Sequence, residues 1–208
     1  MKLKKGVKKT LISVLLIVLI VIGGIFVYKQ FFKKEKTKEI KVVDNISKYG
    51  YKLKENKPEK YKKMFGELKE ILSKDKVDEE AYAKKISEMF VYDFYSLDDK
   101  LAKTDIGGVD FVYSGVMENF LTNAQDTYYK YVESNIYGNR NQKLPIVNEI
   151  EVKNVENKAF AYGDKNDENA FYVQVNWSYT DELFSDYQTN AELVFIHDDI
   201  KLSLVQVD

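Results

Sequence analysis

Leu11–Tyr28 runs for 18 residues without a charged side chain, and no other stretch constrains the chain as strongly. As a helix it would span roughly 27 Å at 1.5 Å per residue, close to the hydrocarbon thickness of a bilayer. Lys2, Lys4, Lys5, Lys8 and Lys9 precede it, and Tyr28, Phe31 and Phe32 fall where an interfacial aromatic belt would sit. The sequence therefore predicts a short basic cytoplasmic tail over 1–10, a transmembrane helix over 11–32, a Lys-rich juxtamembrane linker over 33–47 and an extracytoplasmic domain over 48–208. A cleaved signal peptide shares the basic start and apolar middle, but no Ala-x-Ala site follows, and Val21-Ile22-Gly23 is a weak substitute. Lys29, Lys33, Lys34, Lys36 and Lys38 flank the far end, so the charge contrast across the run is modest. The tail is short enough to stay inside while the long domain is exported, which makes this a single-pass signal-anchor protein of the cell membrane. A cytoplasmic domain on a reversed anchor is the competing orientation.

Charge separates the two parts further. Residues 1–39 hold ten Lys and two Glu, a balance of +8; the whole chain is −1, so the remainder carries −9. An acidic domain repels phosphate backbones, which argues against nucleic acid as a partner, while the basic flanks suit anionic headgroups. Cysteine is absent, so thiolate chemistry and disulfides are excluded. Basic residues are almost all Lys, with Arg140 alone, and the abundance of Lys, Asn, Ile and Tyr suits an AT-rich Gram-positive genome.

Beyond the linker a brief strand is predicted at 50–53. A helix follows from Asn56, with Asn56 and Glu59 as a capping box and Tyr61, Met64, Phe65, Leu68, Ile71 and Leu72 on one face. A second runs from Asp78 to Phe94, capped by Asp78 and stapled by Val77 and Tyr82, with Ile86, Met89, Phe90 and Phe94 facing the core. Ser96-Leu97-Asp98-Asp99 predicts a short helix to Lys103. Gly107-Gly108 breaks the chain before a strand at 109–113. A third long helix is expected over 115–137, with Gly138 as its stop.

The remainder reads as strand. Ile146, Ile150 and Val152 alternate with Glu149, Glu151 and Lys153. Phe171, Val173, Val175, Trp177 and Tyr179 alternate with polar neighbours, the cleanest strand signal in the chain. Residues 191–197 and 200–207 form a hairpin about Asp198-Asp199. There Leu193, Phe195 and His197 share one face and Val194 and Ile196 the other. Both faces are partly apolar, which predicts helices on one side and a partner or pocket on the other.

Helices followed by an antiparallel meander make the fold class α+β. This order resembles the NTF2-like superfamily, and with an anchor ahead of it the VirB8 and TcpC components of bacterial conjugation machines. The resemblance covers residues 56–207, rests on order alone, and implies a cone of about three helices packed on a curved antiparallel sheet. It carries no functional residue across.

Chemistry-bearing residues are few. His197 is the only histidine, and its phase with Leu193 and Phe195 reads as a packed or interfacial ring. Asp164–Asn169 departs from a calcium loop at Asn169, where glycine is needed, and at Val175, where glutamate is needed. Asp98, Asp99, Asp105 and Asp110 read as caps and turns rather than a paired-carboxylate site. Tyr128, Tyr129 and Tyr131 read as a half-buried helix face or a sticky patch, and Trp177 and Tyr179 as sheet core. No nucleotide, hydrolase or zinc-protease motif occurs.

The expectation is a membrane-anchored protein-interaction or assembly domain of a bacterial cell-envelope complex. Expected partners are the lipid bilayer through residues 11–32 and other envelope proteins, and a homo-oligomer is compatible with this. No catalysis is expected, and no catalytic, cofactor-binding or metal-ligating residue is assigned. The alternative is a small-ligand-binding domain or enzyme using the cone's cavity, with Asp110, Tyr113 or His197 in it.

Overall fold

Ahead of the first helix the chain closes a short hairpin in which Ile46 lies opposite Tyr51 and Asp44 opposite Leu53. In the computed structural model, which describes residues 40–208, β1 (Val42–Ile46) pairs antiparallel with β2 (Tyr51–Lys54). Gly50 turns between them at φ 74°. β1 thus occupies part of the stretch read as linker.

Two amphipathic helices come next. In α1 (Glu59–Leu72), Tyr61, Met64, Phe65, Leu68 and Leu72 are buried. The expected capping box does not form. Pro58 takes the cap position with ψ 153°, and Asn56 sits in a turn two residues too early to reach the helix. In α2 (Glu79–Tyr95) Asp78 does cap, accepting from Ala81 N at 3.0 Å.

The expected helix over 96–103 is absent: Leu97 N donates to Pro145 O at 2.8 Å, and the chain runs on as turns. Around 109–113 there is a single helical turn and one isolated bridge, Val112 to Leu204. α3 (Met117–Asp126) ends eleven residues earlier than the spacing suggested. Gly138 is left-handed as expected, at φ 69°, but turns a loop begun by Asn135 rather than closing a helix.

The second half is a meander in the order β3–β4–β5–β6: β3 (Val147–Tyr162), β4 (Lys165–Tyr179), β5 (Asn190–Asp198) and β6 (Lys201–Val207). Three register shifts interrupt β3–β4, each a place where the ribbon bends. The last hairpin turns at Asp199-Ile200, one residue later than expected, with Asp199 at φ 58°.

The sheet's inner face (Val173, Val175, Trp177, Leu193, Phe195, Leu202 and Leu204) packs with α1 and α2 into one core around Phe65, Ile86, Met89 and Phe90. Its outer face holds a smaller cluster. Ala170, Val194 and Ile196 are buried there beneath Tyr113, Phe160, Tyr162 and Tyr172. The apolar second face is covered by the chain's own aromatic residues.

The fold-class expectation of a transmembrane helix followed by a one-sheet cone is therefore corrected. Among the described residues no helix is long and apolar enough to cross a membrane. The longest, α2, carries Glu79, Glu80, Lys84, Lys85, Glu88 and Asp93 within 17 residues. The strands of the described residues form two sheets, of two and four strands, accompanied by three α-helices. Segments 1–10 and 11–32, and the linker up to residue 39, lie outside the described residues.

Candidate functional site

The final turn of α2, Phe90-Val91-Tyr92-Asp93-Phe94-Tyr95, buries one carboxylate among five apolar side chains. Asp93 Oδ1 accepts from Lys57 and, at 3.1 Å, from Lys100, and Oδ2 accepts from Gly108 N at 2.9 Å. The Lys100 side chain is only 3% exposed and also pairs with Asp99. Burial opposes the charged carboxylate, but Lys100, Lys57 and the Gly108 amide outweigh it and bring its pKa down to about 2. For Lys100 burial likewise favours the neutral form, and Asp93 and Asp99 outweigh it and raise its pKa. Gly107 makes this approach possible, since a Cβ there would lie 1.9 Å from Asp93 O. The loop from Ser96 to Tyr113 is in this way fastened to α2.

The last carbonyls of a helix lack partners within it. Here Tyr129 Oη donates to Phe94 O at 2.7 Å and Tyr128 Oη to Tyr95 O at 3.0 Å, while Gly107 N donates to Tyr129 Oη at 3.1 Å. Both rings reach α2 from beyond the point, after Asp126, where the chain leaves the helical path. Thr127 does so at φ −117°, ψ −94°.

Shortened in this way, α3 stands off from β6 and leaves an open groove of about 430 Å³. Val116, Phe120, Ala124 and Tyr128 form one wall and Leu204–Val207 the other, over a floor of Phe94, Tyr95 and Val112. Asn119, Asn123, Thr127, Gln188 and Gln206 supply its polar groups. No Asp, Glu, Lys, Arg or His lines it, in a domain whose residues from 40 onward sum to −9.

β6 is an edge strand, and its outward backbone groups are treated unequally. Leu202 N donates to Tyr82 Oη at 3.3 Å, and Leu204 O accepts from Tyr113 N at 2.8 Å. Further on, Glu192 and Asp208 exchange both hydrogen bonds at 3.0 Å. Pairs in an antiparallel ladder alternate, so the adjacent pair Leu193 and Val207 exchanges none, and the Val207 N–H and C=O face away from β5.

A second opening lies at the other end of β6. His197 N donates to Asp167 Oδ2 at 2.7 Å, and His197 Nδ1 lies 2.8 Å from the same oxygen. His197 Nε2 stands 3.7 Å from Glu79 Oε2, in an open cleft that also holds Asp75, Asp78 and Asp199. Burial of Asp167 works to raise its pKa, but the amides of His197 and Asn169 prevail and lower it. The imidazole is oriented by these contacts. Tyr49 and Tyr82 also line the cleft, and the Tyr82 hydroxyl is already committed to Tyr51 at 2.6 Å and to Leu202 N.

The sequence candidates are dispersed. Asp99, Asp105 and Asp110 border a small pocket of about 100 Å³ beside Asp93, Lys54, Lys57 and Lys100. Asp98 is not among that pocket's lining, and Asp105 caps Leu101 N at 2.9 Å. Tyr113 belongs to the outer cluster and His197 to the acidic cleft, so Asp110, Tyr113 and His197 do not converge on a common cavity. Within 164–169, Gly163-Asp164 is the turn, and Asp167 faces His197 rather than a cation. Tyr129 is fully buried, Tyr128 lines the groove and Tyr131 is 76% exposed, so the tyrosine patch is not one surface. Trp177 lies in the core with its ring 4.3 Å from Tyr95. Sequence reasoning misses Asp93 and Lys100. A lone charge within the apolar run Phe90–Tyr95 is the available signal. No family model, curated protein or solved structure matches the chain.

Proposed function

We propose that residues 40–208 form a protein-interaction or assembly domain of a bacterial cell-envelope complex, working without catalysis, with the α3–β6 groove as its docking surface. The observation that carries this is the groove's lining. It is open and mostly apolar, edged by amides and free of any charged side chain. Such a surface excludes water from an apolar partner segment and offers hydrogen bonds to its backbone, while supplying no strong acid or base. Attachment to the bilayer through the uncharged run Leu11–Tyr28, with the domain outside, belongs to the same proposal and draws its support from the sequence. So does kinship with the NTF2-like superfamily, supported by the order of helices and strands. The ligand-binding alternative loses ground because its three residues stand apart.

The test is photo-cross-linking in cells from Asn119, exposed at the groove, and from Lys63, exposed on α1. The expected result is an adduct with a different envelope protein from position 119 and none from position 63. Adducts of the chain with itself alone, or equal capture from both positions, would overturn the reading.

A further inference from the structure

We propose that the groove takes an extended, uncharged peptide segment of a partner protein, which adds as a strand to the open edge of β6; this rests on the docking reading above. Three observations select this occupant. First, Val207 presents an N–H and a C=O to the groove side with no partner among the described residues. An extended backbone supplies both an acceptor and a donor at that spacing. A helix keeps its backbone bonds to itself and would leave them unmet.

Second, the chain already adds to this edge. Val112 bridges Leu204 in parallel, and Tyr113 N donates to Leu204 O at 2.8 Å. The segment then departs through the turn Ser114–Val116 into α3. The edge beyond Leu204 is thus a continuation of a pairing surface in use, vacated where the groove begins. Third, the charge character is selective. A charged side chain entering this lining would lose water without gaining a counter-charge, a penalty of several kcal/mol. A bound strand would send alternate side chains toward Phe120, Ala124 and Tyr128, where residues are apolar, and the others to solvent. Asn119 and Asn123 each carry both donor and acceptor and can serve the peptide's outer backbone groups, whereas the Gln188 amide already donates to Asn190 O and that of Gln206 to Asp208.

The test uses the whole chain, immobilised, against a displayed library of random decapeptides. The expected result is enrichment of uncharged sequences rich in β-branched and aromatic residues. Their affinity should fall at least tenfold in Ala124→Trp, which fills the groove, and in Val207→Pro, which deletes the outward N–H without touching the β5–β6 ladder. Synthetic copies of an enriched peptide, N-methylated at alternate backbone nitrogens, should lose binding to the same degree in one of the two phases. That measurement leaves the protein unaltered and stands even if Val207→Pro fails to fold. Peptides that depend on Ala124 but tolerate both N-methylation phases would overturn strand addition and leave the docking reading intact. Enrichment indifferent to Ala124→Trp, or a chain that fills the groove only with a second copy of itself, would overturn both.

Discussion

The pocket around Asp93 and the groove beside β6 both border the loop from Ser96 to Tyr113, and they are built on opposite principles. Around Asp93 the chain places Lys57, Lys100 and Asp99 in a space of about 100 Å³, with the Lys100 side chain almost wholly buried. In the groove, several times larger, no side chain is charged. Between these two regions, charge is concentrated where backbone is held and withheld where surface is left open. Buried ion pairs add little net stability yet are costly to break, which suits them to fixing one loop geometry. An uncharged concave surface with an unpaired strand edge fixes nothing in its own chain and suits another chain. The first region positions the second, because Asp93 and Tyr129 together set Gly107 and Gly108, and with them the course of the chain to Tyr113.

The sharpest break in this contrast is Asp93→Ala. It leaves Lys100 buried without its main partner and should cost on the order of 3–5 kcal/mol, read as a lowered denaturant midpoint. Adding Lys100→Met should recover a substantial part. Acid acts on the same group. Its folded pKa is depressed from 3.8 to about 2, so its contribution is complete above about pH 5 and is lost progressively as pH falls through 4 toward 2. The loss should approach about 2 kcal/mol in an equilibrium unfolding series and vanish in Asp93→Asn. Tyr129→Phe removes the acceptor of the buried Gly107 N–H and the donor to Phe94 O. It should cost about 1–3 kcal/mol by thermal melting, and it should loosen the groove because α3 loses its pinned end. Asn119→Ala with Asn123→Ala should change stability by less than about 0.5 kcal/mol while weakening capture of a partner. A large loss of stability in that pair would mean that the groove holds the fold together, contrary to the contrast drawn here.

Much of the scaffold was legible because its signals are local and periodic. α1, α2 and their buried faces follow from 3.6-residue spacing, and Asp78 caps as its position suggests. β4 follows from strict alternation of Phe171, Val173, Val175 and Trp177. What was not legible depends on distant partners. β1 carries too little apolar character to announce itself without Tyr51 and Leu53 opposite. The spacing of Phe120, Leu121, Ala124, Tyr128, Tyr131, Val132 and Ile136 is helical, yet the helix ends at Asp126, Tyr128 and Tyr129 bond α2 through their hydroxyls, and Tyr131 and Ile136 are exposed. Thr127 and Tyr128, just beyond that ending, line the groove, which the helical pattern did not announce. The apolar second face of β5 was legible as a fact, but its cover came from Phe160, Tyr162 and Tyr172 of the same chain.

The most direct test of the account is residue-resolved amide hydrogen exchange along β6 in the chain without added partner. An edge left open for another chain requires the Val207 amide to exchange fast, near the rate of an unprotected peptide, while Gln206 and Asp208, paired to β5, exchange orders of magnitude more slowly. Protection of Val207 equal to that of its two neighbours would mean that the edge is already paired, and the docking account would fail.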